Sequence, residues 1–243
     1  MDLARVLQAA CALREARGGE DFVLSAPEVV DGLVRVLPAT DISFIDLDLH
    51  ARRSQGSALL QLGQRNGVSD EVFWEHFWDT KIACYTERVG RLRGEVMTTG
   101  DFYSDRQWHS TGMYTDFQHL RGYERAMCMP LAGPPGIARR LVFFREPGPP
   151  FREDERDAAR VLQPHITDAL RYQGRHRAAR LLTVRQAELL YLVAAGHDNI
   201  AIARLLRLAP ATVSKHLENI YARLEVTSRT AAVAKACPDV TWR

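Results

Sequence analysis

The sequence predicts an α+β N-terminal domain, an antiparallel sheet with helices, followed by an all-α domain of four helices. Three observations carry this reading. DISFIDLDL with SALLQLG, and RAMCMPLAG with ARRLVFFRE, form two pairs of alternating segments rich in β-branched and aromatic residues, each pair separated by a turn. From Leu182 onward no such segment returns, and apolar residues recur at steps of three and four. The charge also changes sign: residues 1–179 hold 23 basic and 25 acidic side chains, residues 180–243 hold 9 and 5, so −2 is followed by +4.

The elements follow in order. Leu3, Val6, Leu7, Ala10 and Leu13 have helical spacing, and Gly18-Gly19 ends that helix. A second helix follows Pro27. Two strands, Asp41 to Leu49 and Ser57 to Gly63, flank a turn around Arg52 to Gly56. Ser69 caps a helix that opens with Asp70 and Glu71 and runs to about Thr80. DRQWHSTGMYTDF suggests short helical turns. Strands return at Arg125 to Gly133 and Ala138 to Glu146 around the turn GPPG, and PGPP stops the sheet. From Arg152, the residues Ala158, Val161, Leu162, Ile166, Ala169 and Leu170 mark a long helix that Pro164 kinks or breaks. Gly174 to Arg177 reads as a linker, which divides the chain into 1–172, a linker 173–181 and a domain 182–236.

Several function classes are set aside at this stage. The chain has 243 residues, 46% of them hydrophobic, enough for real cores but without an apolar run of membrane-spanning length. Its first residues carry charges where a signal peptide needs an unbroken apolar stretch, so the expected location is the cytoplasm, with no membrane partner. Cys11, Cys84, Cys128 and Cys237 are scattered without a CxxC pair and read as buried or half-buried thiols, so no metal site is expected. Asp46 and Asp48 alternate along a strand, unlike the paired acids of a phosphoacceptor site. His109 beside Ser110 lacks any nucleophile motif. No enzyme and no cofactor is expected.

The C-terminal segment says most. Thr183 is an N-cap with Glu188 in the first turns, Gly196 closes that helix, and NIAIARLL from Asn199 leads into LAPATVSKHLENIYARL. In the helix from Pro210, Val213, Leu217, Ile220 and Leu224 form an apolar stripe, while Ala211, Ser214, Lys215, Glu218 and Ala222 form a short-chained, polar face. Two helices joined by a short turn, the second opening on proline, are the layout of a helix-turn-helix reader. RTAAVAKA supplies the fourth helix.

Residues 182–236 resemble the LuxR/GerE-type DNA-binding domain, through Leu182, Thr183, Arg185, Glu188, Gly196, Asn199, Ile202, Pro210, Thr212, Val213, His216, Asn219, Ile220, Leu224, Val226 and Arg229 among others. The resemblance implies a transcription regulator that binds double-stranded DNA as a homodimer, with RNA polymerase as a further partner. It implies that Ser214, Lys215 and Glu218 face bases, and that Thr212, His216, Asn219, Arg223 and Asn199 support them or contact phosphate. Ala209 stands where a capping serine is usual, and Arg207 and Glu225 where glycine is common. These departures, with the acidic Glu218, keep an alternative open: a regulator acting through protein contacts with little DNA affinity.

The N-terminal layout is similar to the GAF/PAS-like sensor domains of such regulators, through DFYSDRQW, PLAGPPGIARRLVFFR and DERDAARVLQPHI. That similarity implies a small-molecule ligand in a cavity over the sheet. Phe73, Trp74, Phe77, Trp78, Phe102, Tyr103, Trp108 and Tyr114 are the expected lining, with ordinary core packing as the competing account.

Overall fold

The computed structural model describes residues 2–19, 22–61, 69–84, 95–133 and 137–236, without the side chains of Ser57, 175–180 and Ala234. The chain divides into two units, Met1–Asp168 and Ala169–Arg243. Cys237, Gly63 and residues 134–136 of the expected GPPG turn lie outside the described residues.

In the first unit, α1 (Leu3–Ala16) starts at Asp2, whose carboxylate accepts from the Arg5 N–H at 3.3 Å, and it buries Val6, Ala9 and Leu13. It stops before the glycine pair. Cys11 lies on its exposed side, against expectation, whereas Cys84 and Cys128 are buried. Helix α2 (Pro27–Val36) opens on its proline and packs so closely on α1 that a Cβ at Gly32 would sit 3.1 Å from the Ala9 Cα.

Strands β1 (Asp41–Asp48), β2 (Arg53–Gln61), β3 (Met97–Thr98), β4 (Arg125–Leu131) and β5 (Ile137–Arg145) make an antiparallel sheet in the order β2-β1-β5-β4-β3. Both expected hairpins are present, and β1 joins them by pairing with β5. The first turn lies earlier than Arg52 to Gly56. The Asp48 carboxylate accepts from the N–H groups of His50 and Ala51 at 3.1 and 2.8 Å, and Arg52 takes a left-handed conformation, φ 48°. Asp46 faces Arg139 across the β1–β5 ladder and is held by two bonds of 2.8 and 2.7 Å. Asp46 and Asp48 are therefore both held in structural contacts.

The pleat sends Ile45, Leu47, Ala126, Cys128, Arg140 and Val142 to one face, and Ile42, Leu141, Phe143, Met127 and Met129 to the other. The first face is covered by α3 (Asp70–Phe77), α4 (Asp105–His109) and a π-helical turn, Met113–Gln118, through a cluster containing Trp74, Phe77, Trp108, Met113 and Phe117. Ser69 occupies the N-cap position of α3, but its hydroxyl makes no cap bond; Ser54 donates to Asp70 instead. The short helical turns expected here are present, α4 with a capping box between Ser104 and Gln107.

Helix α5 (Glu153–Leu181) runs unbroken through Pro164 and through residues 173–181. A proline removes one main-chain bond. Here Ala158, Ala159, Leu162, Ile166 and Ala169 are buried on both sides of it, so packing holds the helix together where local chemistry favours a break.

The second unit holds α6 (Val184–Ala194), α7 (Asn199–Leu206), α8 (Pro210–Arg223) and α9 (Arg229–Ala236) around Leu189, Leu190, Val193, Ile202, Val213, Leu217, Ile220, Leu224 and Val233. Thr183 caps α6 in a reciprocal box with Gln186. Three helices end in the same way, with the N–H of His197, Leu208 and Val226 returning to the carbonyls of Leu192, Ala203 and Tyr221. The left-handed residue in these motifs is Gly196 (φ 89°), Arg207 (φ 53°) and Glu225 (φ 50°). The last two adopt, as non-glycine residues, the conformation that glycine takes without strain. Among the described residues no helix is long and apolar enough to cross a membrane.

Candidate nucleic-acid interface and cavity

The outer face of α8 is built from the inside out. Val213, Leu217 and Ile220 are buried from its N-terminus onward, and Leu224 closes the stripe, so the residues between them are forced outward. Thr212, Ser214, Lys215, Glu218, Asn219 and Arg223 are exposed, and His216 is half-buried. Pro210 sits at the first helical position, Ala209 supplies no side-chain cap, and its carbonyl accepts from the N–H groups of Thr212 and Val213 at 2.9 and 3.2 Å.

Four of these side chains are already engaged. Lys215 Nζ donates to Glu218 Oε2 at 3.0 Å, although both side chains are more than 60% exposed. Asn199 Nδ2 donates to Ser214 Oγ at 3.3 Å and its Oδ1 accepts from Arg229 Nη1 at 2.9 Å, linking α7, α8 and α9. Arg229 also donates to the His197 carbonyl. Arg223 Nη1 lies 3.2 Å from both the Leu181 carbonyl and Gln186 Oε1, so it ties the end of α8 back to the start of α6. Arg229 was not among the site residues expected from sequence, and its place at the join of three helices became visible only on folding.

A cavity of about 340 Å³ lies on the first face of the sheet in the N-terminal unit. Its floor is Ile45 and Leu47 of β1, Arg140, Val142 and Phe144 of β5, and Ala126 and Cys128 of β4; its roof is Phe73 of α3, Met113, Phe117 and Gln118 of the π-helical turn, and Arg121. Of the eight aromatics expected from sequence, Phe73 lines it. Trp74, Phe77 and Trp108 are buried in the neighbouring core, with Phe102, Tyr103 and Tyr114 packed against that core. Trp74 and Trp78 border a separate surface depression with Arg52, Glu71 and Glu75. The reason is geometric: aromatics at steps of three and four share a helix face, and that face seats α3 on its neighbours, with ring centroids 4.9–5.5 Å apart along Phe73, Trp74, Phe77 and Trp78.

The roof is fastened to α3 by His76 Nε2 and Asp116 Oδ2 at 3.0 Å, and the His76 ring lies so close to Gly112 that a Cβ there would sit 2.2 Å from it and displace the ring. Behind it, Glu124 accepts from the Tyr114 hydroxyl at 2.8 Å, lies 2.6 Å from His109 Nε2, and offers its backbone carbonyl to Trp108 Nε1 at 3.0 Å. Burial, followed by the bond to Glu124, pushes the Tyr114 hydroxyl up to about 12. His109 is thus bound to a carboxylate, and Ser110 donates to the Gln107 carbonyl, so the two do not address one another. Among the described residues no group of three His, Cys, Asp or Glu side chains could hold a metal ion.

Residues 180–236 match the family described as bacterial regulatory proteins, luxR family. The luxR-family segment thus spans all four helices α6 to α9, the part of the chain whose geometry carries the exposed polar face. The chain is 35% identical over 95 residues to the monoamine regulon transcriptional regulator of Klebsiella aerogenes, covering 38% of this chain and 40% of that protein. It is 37% identical over 78 residues to the response regulator protein VraR of Staphylococcus aureus, 31% of this chain and 37% of that one. The chain therefore aligns with two fifths or less of the length of these relatives. Among solved structures, the VqsR LBD domain of Pseudomonas aeruginosa superposes with a TM-score of 0.50 at 12% identity, over 69% of this chain and 94% of that one. That likeness is one of fold.

Proposed function

We propose that this protein is a sequence-specific DNA-binding transcription regulator whose N-terminal cavity binds a small molecule that modulates it. The observation that carries the reading is the exposed outer face of α8 over a fully buried stripe, in a segment that matches the luxR family. Ser214, Lys215 and Glu218 are the base-facing residues in this reading. Thr212, His216 and Asn219 contact phosphate or support the helix. Asn199 and Arg223, whose bonds run within the unit, set the angle of α8. Homodimerisation, contact with RNA polymerase and a division into 1–172, 173–181 and 182–236 belong to the same proposal.

Lys215→Ala tests it. Removing one cation from the interface weakens operator binding by roughly tenfold and lowers the salt slope by about 1, with helical content unchanged. Fluorescence anisotropy across a salt series reads both. Binding that is absent from a broad DNA library, or insensitive to salt, would transfer the function to protein contacts.

A further inference from the structure

Asn199 lies between two partners whose chemistry fixes the way its amide points. Arg229 carries only N–H donors, so the atom that faces its Nη1 at 2.9 Å is the amide oxygen of Asn199. The amide nitrogen therefore faces Ser214, and Nδ2 donates to Oγ at 3.3 Å. Both members of this relay are anchored. Arg229 also donates to the His197 carbonyl, and the His197 N–H in turn donates to the Leu192 carbonyl at 3.1 Å, at the end of α6. Asn199 is the first residue of α7, directly after Asp198, whose carboxylate accepts from the Ala201 N–H at 2.7 Å. Arg229 is half-buried and Ser214 exposed, so the relay begins at a guanidinium below the surface and ends on the outer face of α8.

The bonds all run one way, from Arg229 to Asn199 to Ser214. A serine hydroxyl has one hydrogen and two lone pairs. With the Asn199 N–H on its oxygen, the hydrogen turns away from Asn199, and each bond in a series that starts at a cation strengthens the donor at its far end. Ser214 thus presents an O–H to whatever lies against α8. We propose that Ser214 reads a purine, its hydroxyl donating to N7 in the major groove, with Asn199 and Arg229 as the positioning residues that set its polarity. A single O–H on a short side chain makes one bond, and N7 is the acceptor that guanine and adenine share. The amino groups of cytosine and adenine are donors, and they pair with a hydroxyl turned the other way. This inference rests on α8 facing bases, as proposed above.

The test uses the full-length chain and a duplex enriched by it from a randomised library. Each purine of that duplex is replaced in turn by its 7-deaza analogue, which lacks the N7 acceptor and keeps the rest of the base, and binding is read by fluorescence anisotropy. One replacement should weaken binding to the unaltered protein by about tenfold. The same replacement should leave Ser214→Ala unaffected, because the donor is already gone. Asn199→Asp gives the sharper reading. The new carboxylate keeps a partner for Arg229 but accepts the serine hydrogen, so the sensitivity to N7 should vanish although the hydroxyl remains. Should that variant not fold, Asn199→Ala, which withdraws the incoming bond, serves in its place and lowers the same sensitivity. A sensitivity that survives in Ser214→Ala overturns the serine assignment, and one that survives both changes at Asn199 overturns the relay. A duplex that is bound with no sensitive purine overturns the inference and leaves the DNA reading standing. If the library yields no bound duplex at all, the DNA reading fails and this inference with it.

Discussion

The two units place their polar chemistry on opposite sides of their cores. In the C-terminal unit a small apolar cluster pushes Ser214, Lys215 and Glu218 out into solvent, where their bonds are to other side chains at the surface. In the N-terminal unit the sheet and its roof draw Gln118, Arg140 and Arg121 inward around a cavity. A surface of the first kind can change its side chains with small consequences for folding. In a cavity the binding groups are also packing groups, so ligand and stability are linked.

The difference can be broken or sharpened by mutation. The largest effect is expected from Ile220→Ala, which empties a fully buried site under the outer face and costs about 2–5 kcal/mol. Amide exchange should then rise across α6 to α9 while the sheet stays protected; protection lost equally in both units would mean that they fold as one. Next comes Glu218→Gln, which frees Lys215 and removes a negative charge from the proposed DNA face. Its expected result is tighter binding to nonspecific DNA by a few-fold, about 1 kcal/mol, with no change in melting temperature. A change in stability without one in DNA affinity would assign the Lys215–Glu218 pair to the fold.

Smaller still is Glu225→Gly. Relief of the left-handed strain outweighs the added freedom of the unfolded chain, giving a gain of about 0.5–1 kcal/mol confined to the C-terminal transition in calorimetry. A pH-dependent effect concerns Tyr114, whose folded-state pKa of about 12 lies above its ordinary value of 10.0. Because the neutral hydroxyl is the form the fold favours, its contribution is complete below pH 10 and is lost as pH rises through 12. The stability gap between the protein and Tyr114→Phe should therefore be constant up to pH 10 and close between 10 and 12 in urea titrations.

How much was legible in advance differs between the units for a physical reason. The stripe Val213, Leu217, Ile220 and Leu224 is read from spacing alone because a helix repeats locally, and its buried state follows from the other helices of the unit packing on it. The same spacing rule applied to Phe73, Trp74, Phe77 and Trp78 located a real apolar face but assigned it to a cavity. Whether such a face lines a space or fills one depends on what the sheet brings opposite. Nothing local to Gln118, Arg121 or Arg140 marks them as lining residues. They come from a π-helical turn, its flank and the fifth strand, and only the pairing of β1 with β5 sets a cavity floor between them.

Pro164 and the linker teach the same point. Proline and the Gly174–Arg177 stretch are local signals for interruption; α5 passes through Pro164 because burial on both sides of it outweighs one missing hydrogen bond, and the helix continues through Gly174–Arg177 as well. By itself the sequence determined what is set within a turn or two of chain: the helices and their apolar stripes, the two hairpins, the N-cap at Thr183 and the outward set on α8. Tertiary structure decided what depends on residues distant in sequence. It set the order β2-β1-β5-β4-β3, the engagement of Arg223 and Arg229 within the C-terminal unit, and which polar groups face the cavity, because those contacts exist only once separate segments are packed together.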